Sequence, residues 1–565
     1  MAQLFGQGTI KQHINQLANF QQEDFVEIVK DLHTDYKNGL LTDEVKYKEK
    51  FNNVFFGKLL GYEDRSHRIP EGKISGIGNA DLILGNFVDG KEDADSVLAV
   101  CELKGSKTNL IKKQSGHGGL SPVGQGFAYK TGLKNCKWLI VSNFYEIRLY
   151  RDNQTDFEVR TLDELIDPKD NYFQLRKLYL LLSRENLLGG GTESLLSFFR
   201  EEQKKISDKF YKEYKALRLE LIEEIKKKNS HISRNSTIEK AQKILNRLIF
   251  IFFCEDKGLL PDKKLKENIV RAREAGFSSW EIMKRFFSFV DQGSPSLNLP
   301  DGYNGGLFEK DAILDLLEIG DQLCIKLVEL TNYDFENQLS VNILGHIFEQ
   351  SISDLEALRW NTTEDEKNKR KKDGIFYTPE YIVDYIVQNS VMKYLNEKED
   401  ECLKKHSKKK DGEMLAYQEY QHILQNIKVL DPACGSGAFL VRVFDVLFEE
   451  NKRVGKIVNS LFDDTEIYKN ILTNNIYGVD LNAESVDITK LSLRLKSAQK
   501  GKKLNNLDGN IKCGNSLIDD PEVAGDKAFK WEKEFSDIFQ KEEIKTRMIT
   551  RVSHNTRLSK RMMEL

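Results

Sequence analysis

The hydrophobic pattern of the 565-residue chain is helical at first, then strand-like, then helical over a long middle stretch, and finally alternates strand with helix. Up to about residue 60 the spacing is helical. Phe51, Val54, Phe55, Leu59 and Leu60 recur at intervals that place them on one apolar face, which predicts a helix packed on a sheet. Gly78 to Gly85 and Ser96 to Gly105 are apolar runs of strand length. The first carries Asp81 near its head and the second ends in Glu102-Leu103-Lys104. In the segment that follows, Gln125 and Tyr129 stand one helical turn apart. Lys137 to Asn143 and Glu146 to Tyr150 then read as a strand pair. From about 165 to 365 the pattern is almost entirely helical, and Ile206, Phe210, Tyr214, Leu217 and Leu221 predict one long amphipathic helix. Further on, Val429-Leu430-Asp431 reads as a strand, followed by a turn containing Gly435 and Gly437 and then an apolar helix. Ile476 to Asn482 is a second strand ending in an acid, and Ile511 to Leu517 a third.

Composition narrows the class. An apolar share of 40%, 31% charged residues and only 9 prolines favour a helix-rich globular chain of roughly three domains over a disordered or fibrous one. The formal net charge of −3 leaves nucleic-acid binding open, because such proteins concentrate Lys and Arg locally. The 7 cysteines are scattered, with no Cys-x-x-Cys pair, so neither a zinc site nor a disulfide framework is expected. That usage suits a reducing cytoplasm. The N-terminus lacks the basic and apolar regions of a secretory signal. The most apolar run, Leu248 to Cys254, is too short to cross a bilayer. No membrane partner is expected.

On a strand successive side chains alternate faces, so Glu102 and Lys104 point together while Leu103 faces a core. Asp81 and Glu102 are hard oxygen ligands suited to Mg2+. A cation so held activates water and offsets phosphate charge, and Lys104 would orient or deprotonate that water. In a chain so rich in charge, an Asp followed by Glu-x-Lys is also commonplace. The order resembles the PD-(D/E)xK nuclease superfamily. The Gln125-x-x-x-Tyr129 helix behind it is similar to the one that follows the Glu-x-Lys strand in restriction nucleases. The catalytic set implied is Asp81, Glu102, Lys104 and Gln125, with Asp81 and Glu102 as metal ligands.

Asp431-Pro432-Ala433-Cys434-Gly435-Ser436-Gly437-Ala438-Phe439-Leu440 is a strand-end acid followed by a turn whose glycines let a ligand approach the main chain. It resembles the first motif of S-adenosylmethionine-dependent N6-adenine DNA methyltransferases. Gly374-Ile375-Phe376-Tyr377-Thr378-Pro379 upstream, and the strands ending at Asp480 and before Asn515, stand where that family's further motifs would. The resemblance implies Asp480 on the cofactor ribose and Asn515 at its adenine edge. It places Asp431, Ala433, Gly435 and Gly437 by the methionine end, with Tyr377 and Thr378 closing over the cofactor. The helical middle is similar to the connector of single-chain type IIG restriction-modification enzymes. Within it, Phe253-Cys254-Glu255-Asp256-Lys257-Gly258 and Leu344-Gly345-His346 carry no assigned chemistry, and His346 reads as a packed histidine. The basic runs Lys367 to Lys372 and Lys408 to Lys410 read as solvated faces, the alternative being phosphate contacts.

The family's Asn-Pro-Pro-Tyr motif is missing, since no proline here follows an asparagine. The expected fold is α/β: a restriction-endonuclease-like α/β domain over 1–165, a helical connector over 166–365, and an incomplete Rossmann-like class I methyltransferase domain over 366–525. A truncated tail over 526–565 is expected to be disordered or completed by a partner. The resemblance implies double-stranded DNA as partner and S-adenosylmethionine and Mg2+ as cofactors. Two functions compete. One is a truncated restriction-modification polypeptide, a methyltransferase fused to an endonuclease. The other is a non-methylating, cofactor-binding subunit of a split restriction-modification or phage-defence system, completed by a C-terminal methyltransferase and target-recognition chain.

Overall fold

In the computed structural model, residues 4–539 are described apart from 16, 18, 19, 75, 113, 115–119, 153, 155, 300, 304, 305, 337, 340, 342, 346, 349, 350, 352, 353, 355–377, 379 and 460–462. Tyr377, His346, the basic run 367–372 and the residues from 540 lie outside that set. The chain divides into two compact units, Met1–Lys204 and Lys205–Leu565.

The first unit opens with helices α1 (Gln7–Ile14), α2 (Gln22–Lys37) and α3 (Glu44–Phe51), the last running into a π-helical segment, Asn52–Leu59. Six strands follow: β1 (Arg68–Ile74), β2 (Gly78–Gly85), β3 (Val97–Leu103), β4 (Trp138–Ser142), β5 (Glu146–Tyr150) and β6 (Phe157–Thr161). They form one sheet in that order. All neighbours are antiparallel except β3 and β4. That parallel pair needs a crossover, which α4 (Pro122–Thr131) supplies. The expected apolar helical face is present: Phe51, Phe55, Leu59 and Leu60 are buried together with Leu82, Leu84, Cys101, Leu103 and Ile140 of the sheet. The other sheet face, with Val100, Leu139 and Val141, packs on Val123 and Tyr129 of α4.

Two strands are not legible in the hydrophobic pattern. β1 contains Pro70 and Gly72, which a central strand would not tolerate, and it lies at the sheet edge where a proline can. β6 carries Glu158 in a buried position. Its carboxylate receives Lys177 Nζ at 2.8 Å and the Phe5 main-chain N–H at 3.1 Å, so a partner distant in sequence makes the burial tolerable. Helix α5 (Lys169–Leu182) supplies Lys177.

The long helix α6 (Gly191–Lys228) contains the boundary between the units. Beyond it are α7 (Arg234–Asp256), α8 (Lys264–Glu274), α9 (Ser279–Gln292) and α10 (Asp321–Val328). Every residue of α7 from Ile244 to Cys254 is buried. A helix apolar on all sides must be a core element. The one cation in that run, Arg247, donates to the carbonyls of Leu307 at 2.9 Å and Glu309 at 2.7 Å. Glu255 and Asp256, at the end of α7, accept from the first turn of α8 and from residues distant in sequence. Glu255 takes the Leu265 N–H at 3.0 Å and the Thr331 hydroxyl at 3.3 Å, and Asp256 takes the Phe335 N–H at 2.6 Å.

The same unit continues with α11 (Glu380–Val387), α12 (Lys393–His406) and α13 (Gly412–Asn426). Then come β7 (Val429–Asp431), α14 (Ala438–Ile457), β8 (Ile476–Asp480), α15 (Ala483–Ser497) and β9 (Ile511–Cys513). The three strands are parallel with β8 in the middle, a βαβαβ segment wound in one direction. Residues just past 525 are not a loose tail. Phe529 and Phe535 are buried against Leu430 and Val479 with Trp531 alongside, because three aromatic rings find an uncovered sheet face. Among the described residues, no helix is long and apolar enough to cross a membrane.

Burial pushes the Glu255 carboxyl from 4.5 up to about 7. A folded state that resists ionisation loses stability as pH rises from the unfolded value through the folded one. Glu255→Gln stays neutral and keeps an acceptor for Leu265. It is expected to exceed the parent in urea unfolding by roughly 1–3 kcal/mol near pH 8, the gap closing below about pH 5.

Candidate functional sites

In the first unit, β2 and β3 bring together the carboxylates and the lysine singled out in the sequence. The Leu103 N–H donates to Asp81 Oδ2 at 2.7 Å, which fixes Asp81 against the end of β3. Glu102 is 1% exposed and Lys104 5%, and Lys104 Nζ lies 2.6 Å from Glu102 Oε1 and 3.7 Å from Asp81 Oδ2. The Lys104 N–H continues the parallel ladder by donating to the Ser142 carbonyl at 2.8 Å. The chain then turns at Gly105, where a Cβ would stand 2.5 Å from the Thr42 carbonyl oxygen. That close approach brings the start of α3 to the strand end.

Two further residues of the cluster therefore come from α3. Lys48 Nζ reaches Asp81 Oδ1 at 2.5 Å, and Glu44 Oε1 lies 3.5 Å from Lys104 Nζ and 3.8 Å from Lys48 Nζ. In sequence, Glu44-Val45-Lys46-Tyr47-Lys48 reads as an ordinary solvated helix. The only local signal is the Glu-to-Lys pair one turn apart. Burial, then Asp81, push the Glu102 carboxyl up to about 7 despite Lys104. Burial alone would lower the Lys104 ammonium, but Glu102 and Asp81 outweigh it and raise it.

Among the described residues, no three His, Cys, Asp or Glu side chains converge in metal-holding geometry. The Asp81–Glu102 pair nonetheless fits a divalent cation. Glu102 Oε2 is buried with no hydrogen-bond partner, and an excess of carboxylate in a dry site calls for positive charge. Gln125 is buried on α4, its amide donating to the Tyr129 hydroxyl at 2.7 Å across one helical turn.

In the second unit the glycine turn stands at the C-terminal end of β7. Gly435 has φ +55° and Gly437 φ +87°, left-handed conformations that side-chain-bearing residues rarely adopt. Asp480, at the end of the adjacent β8, accepts the Gly435 N–H at 2.9 Å and the Asn482 N–H at 2.9 Å. Its carboxylate thus braces the turn. Asp431 is buried and accepts the Ala433 N–H at 3.1 Å. Gly437 stands at the N-cap of α14 and, having no side chain, makes no side-chain cap to that helix.

Asn515, beyond β9, accepts the Leu517 N–H at 3.1 Å, and its own N–H donates to the Lys527 carbonyl at 2.7 Å. Thr378 is half-buried just ahead of α11. Helix α11 is tied to α14 by Asp384–Arg442 at 2.6 Å, and its Ile386 and Val387 line a pocket with Leu430, Asp431, Phe439 and Leu440. The sequence reading passed over Thr489 of α15, whose hydroxyl donates to the Gly435 carbonyl at 2.9 Å.

Residues 403–545 match the family described as "MmeI, DNA-methyltransferase domain", so the stretch around the glycine turn is similar to a DNA methyltransferase domain. The wider chain is similar to restriction enzymes that carry a methyltransferase. It is 26% identical over 504 residues to RM.MjaORFECS2P of Methanocaldococcus jannaschii, named provisionally as a type II restriction enzyme and methyltransferase, covering 70% of this chain and 41% of that protein. It is 26% identical over 425 residues to the type II restriction enzyme and methyltransferase RM.Eco57I of Escherichia coli, covering 69% of this chain and 38% of that one. A shorter match, 28% over 139 residues, joins 23% of this chain to 11% of the adenine-specific methyltransferase BrxX of Escherichia coli. The chain spans about two fifths of the length of the first two relatives.

Because Asp480 supports the turn in the free protein, Asp480→Ala should lower unfolding stability by about 1.5–3 kcal/mol before any ligand is added. Denaturant melts of the two chains without ligand test this. Coincident midpoints would show that the carboxylate does not brace the turn.

Proposed function

We propose that this chain belongs to a DNA restriction-modification system and combines a cofactor-binding N6-adenine methyltransferase segment with a Mg2+-dependent endonuclease segment. The observation that carries the reading is the convergence of Asp81, Glu102 and Lys104 in one unit, in a chain whose other unit holds the glycine turn within a stretch matching a DNA methyltransferase domain. The names of the similar proteins support the same pairing of activities. The BrxX match supports adenine as the base.

In the nuclease segment, Asp81 and Glu102 would hold the cation. When bound, Mg2+ supplies Lewis acidity toward the scissile phosphate and a more acidic water. Lys104 would hold its proton beside the attacking oxygen and balance phosphate charge. Glu44 and Lys48 would set the local field around Asp81. Gln125, fixed by Tyr129, would line the approach to the strand end.

In the methyltransferase segment, the N-terminus of α14 would receive the methionine carboxylate, Asp480 the ribose diol and Asn515 the adenine edge. Asp431 and Ala433 would border the methionine end, with Thr378 at its cover. S-adenosylmethionine supplies an electrophilic methyl group. The target base, flipped from the duplex, needs an amide oxygen, a main-chain carbonyl and an aromatic ring to hold its amine. The family's Asn-Pro-Pro-Tyr is not among these 565 residues, so in this reading the acceptor side is contributed by other residues.

Titration calorimetry with S-adenosylmethionine is expected to show one site per chain, and the absence of heat at saturating concentrations would remove the methyltransferase half of the reading. The nuclease half predicts DNA cleavage that requires Mg2+ and that falls at least about a hundredfold in Glu102→Ala with its fold intact. Cleavage surviving either change would count against it.

A further inference from the structure

Thr489 lies on α15, fully buried, and its side chain touches both glycines of the turn. Its hydroxyl donates to the Gly435 carbonyl at 2.9 Å. A Cβ on Gly437 would stand 2.9 Å from Thr489 Cγ2 and 3.0 Å from its Oγ1. A helical threonine ordinarily returns its hydroxyl to a carbonyl of its own helix. Here the acceptor is 54 residues away. The Gly435 N–H is meanwhile taken by Asp480 at 2.9 Å. Both polar groups of this one residue are therefore fixed by side chains, one at the end of β8 and one on α15.

Helix α15 is itself firmly seated. Ile488, Leu491 and Leu495 lie in the same core as the apolar run of α7, so Thr489 is presented from a rigid support. We propose that Thr489 is a positioning residue that holds the Gly435–Gly437 turn in its cofactor-binding conformation, an inference that rests on the reading of this turn as the S-adenosylmethionine site. Without the hydroxyl, the half-buried Gly435 carbonyl loses its side-chain donor. Glycine has no side chain to resist peptide rotation, so the turn relaxes by rotating. That rotation carries Ser436 and the first N–H groups of α14 away from the ligand. Thr489 acts on the cofactor through the turn alone and is not a catalytic residue.

The test compares Thr489→Val, which keeps shape and loses the donor, with Thr489→Ser, which keeps the donor and loses a methyl. Both are made in the full chain, with S-adenosylmethionine affinity measured by calorimetry and melting temperature measured without ligand. The expected result is an affinity about tenfold weaker in Thr489→Val and within about threefold of the parent in Thr489→Ser. Parent-like affinity in Thr489→Val overturns the proposal. So does equal loss in both variants, which is what a purely packing role would produce. If Thr489→Val does not fold, Thr489→Cys replaces it, with a weak donor of similar bulk; intermediate affinity supports the proposal and parent-like affinity overturns it. A parent chain that shows no binding overturns the cofactor reading itself and this proposal with it.

Discussion

Much of the second unit depends on how one turn at the end of a strand is held. Gly435 and Gly437 adopt left-handed conformations that side-chain-bearing residues rarely take, and such a turn has little reason to prefer one arrangement by itself. It is fixed because the Gly435 N–H goes to Asp480 and its carbonyl to Thr489. The first bond exists only when β8 pairs with β7, and the second only when α15 packs against β8. Sheet pairing, helix packing and the shape of the turn are therefore one cooperative arrangement.

The first unit solves a different problem, which is to keep charge in a dry place. Glu102 and Lys104 are buried side by side, and burial of either alone would be costly. Their mutual attraction, with Asp81, Glu44 and Lys48 around them, makes the arrangement tolerable. It does not make it free of cost: burial first, and then Asp81, raise the Glu102 carboxyl despite Lys104.

The helices between these two regions are more than a spacer. The core around α7 takes in Ile488, Leu491, Leu495 and Leu504, so the helical stretch and the βαβαβ segment share apolar contacts through α15. At the end of α7, Glu255 and Asp256 hold the N–H groups of Leu265 and Phe335. An acidic pair that looks exposed in sequence thereby organises the loops around a buried helix.

By itself the sequence determined the features that depend on local spacing and on residues with narrow conformational range. The strand at Val429, the glycines behind it, the strands ending near Asp480 and Cys513, the Glu-Leu-Lys strand and the Gln-Tyr helix were all legible, because periodicity and glycine are local signals. The edge strand with Pro70 and the strand carrying Glu158 were not, since their places depend on a sheet edge and on Lys177. Nor could spacing join Glu44 and Lys48 to Asp81, or Thr489 to Gly435. Each of these contacts links segments separated by tens of residues, and only the meeting of β2 with α3, or the pairing of β7 with β8 and the packing of α15 on β8, decides that they meet. Hydrophobic period fixes which face of an element is buried, but which polar group stands opposite it is settled only when the elements come together.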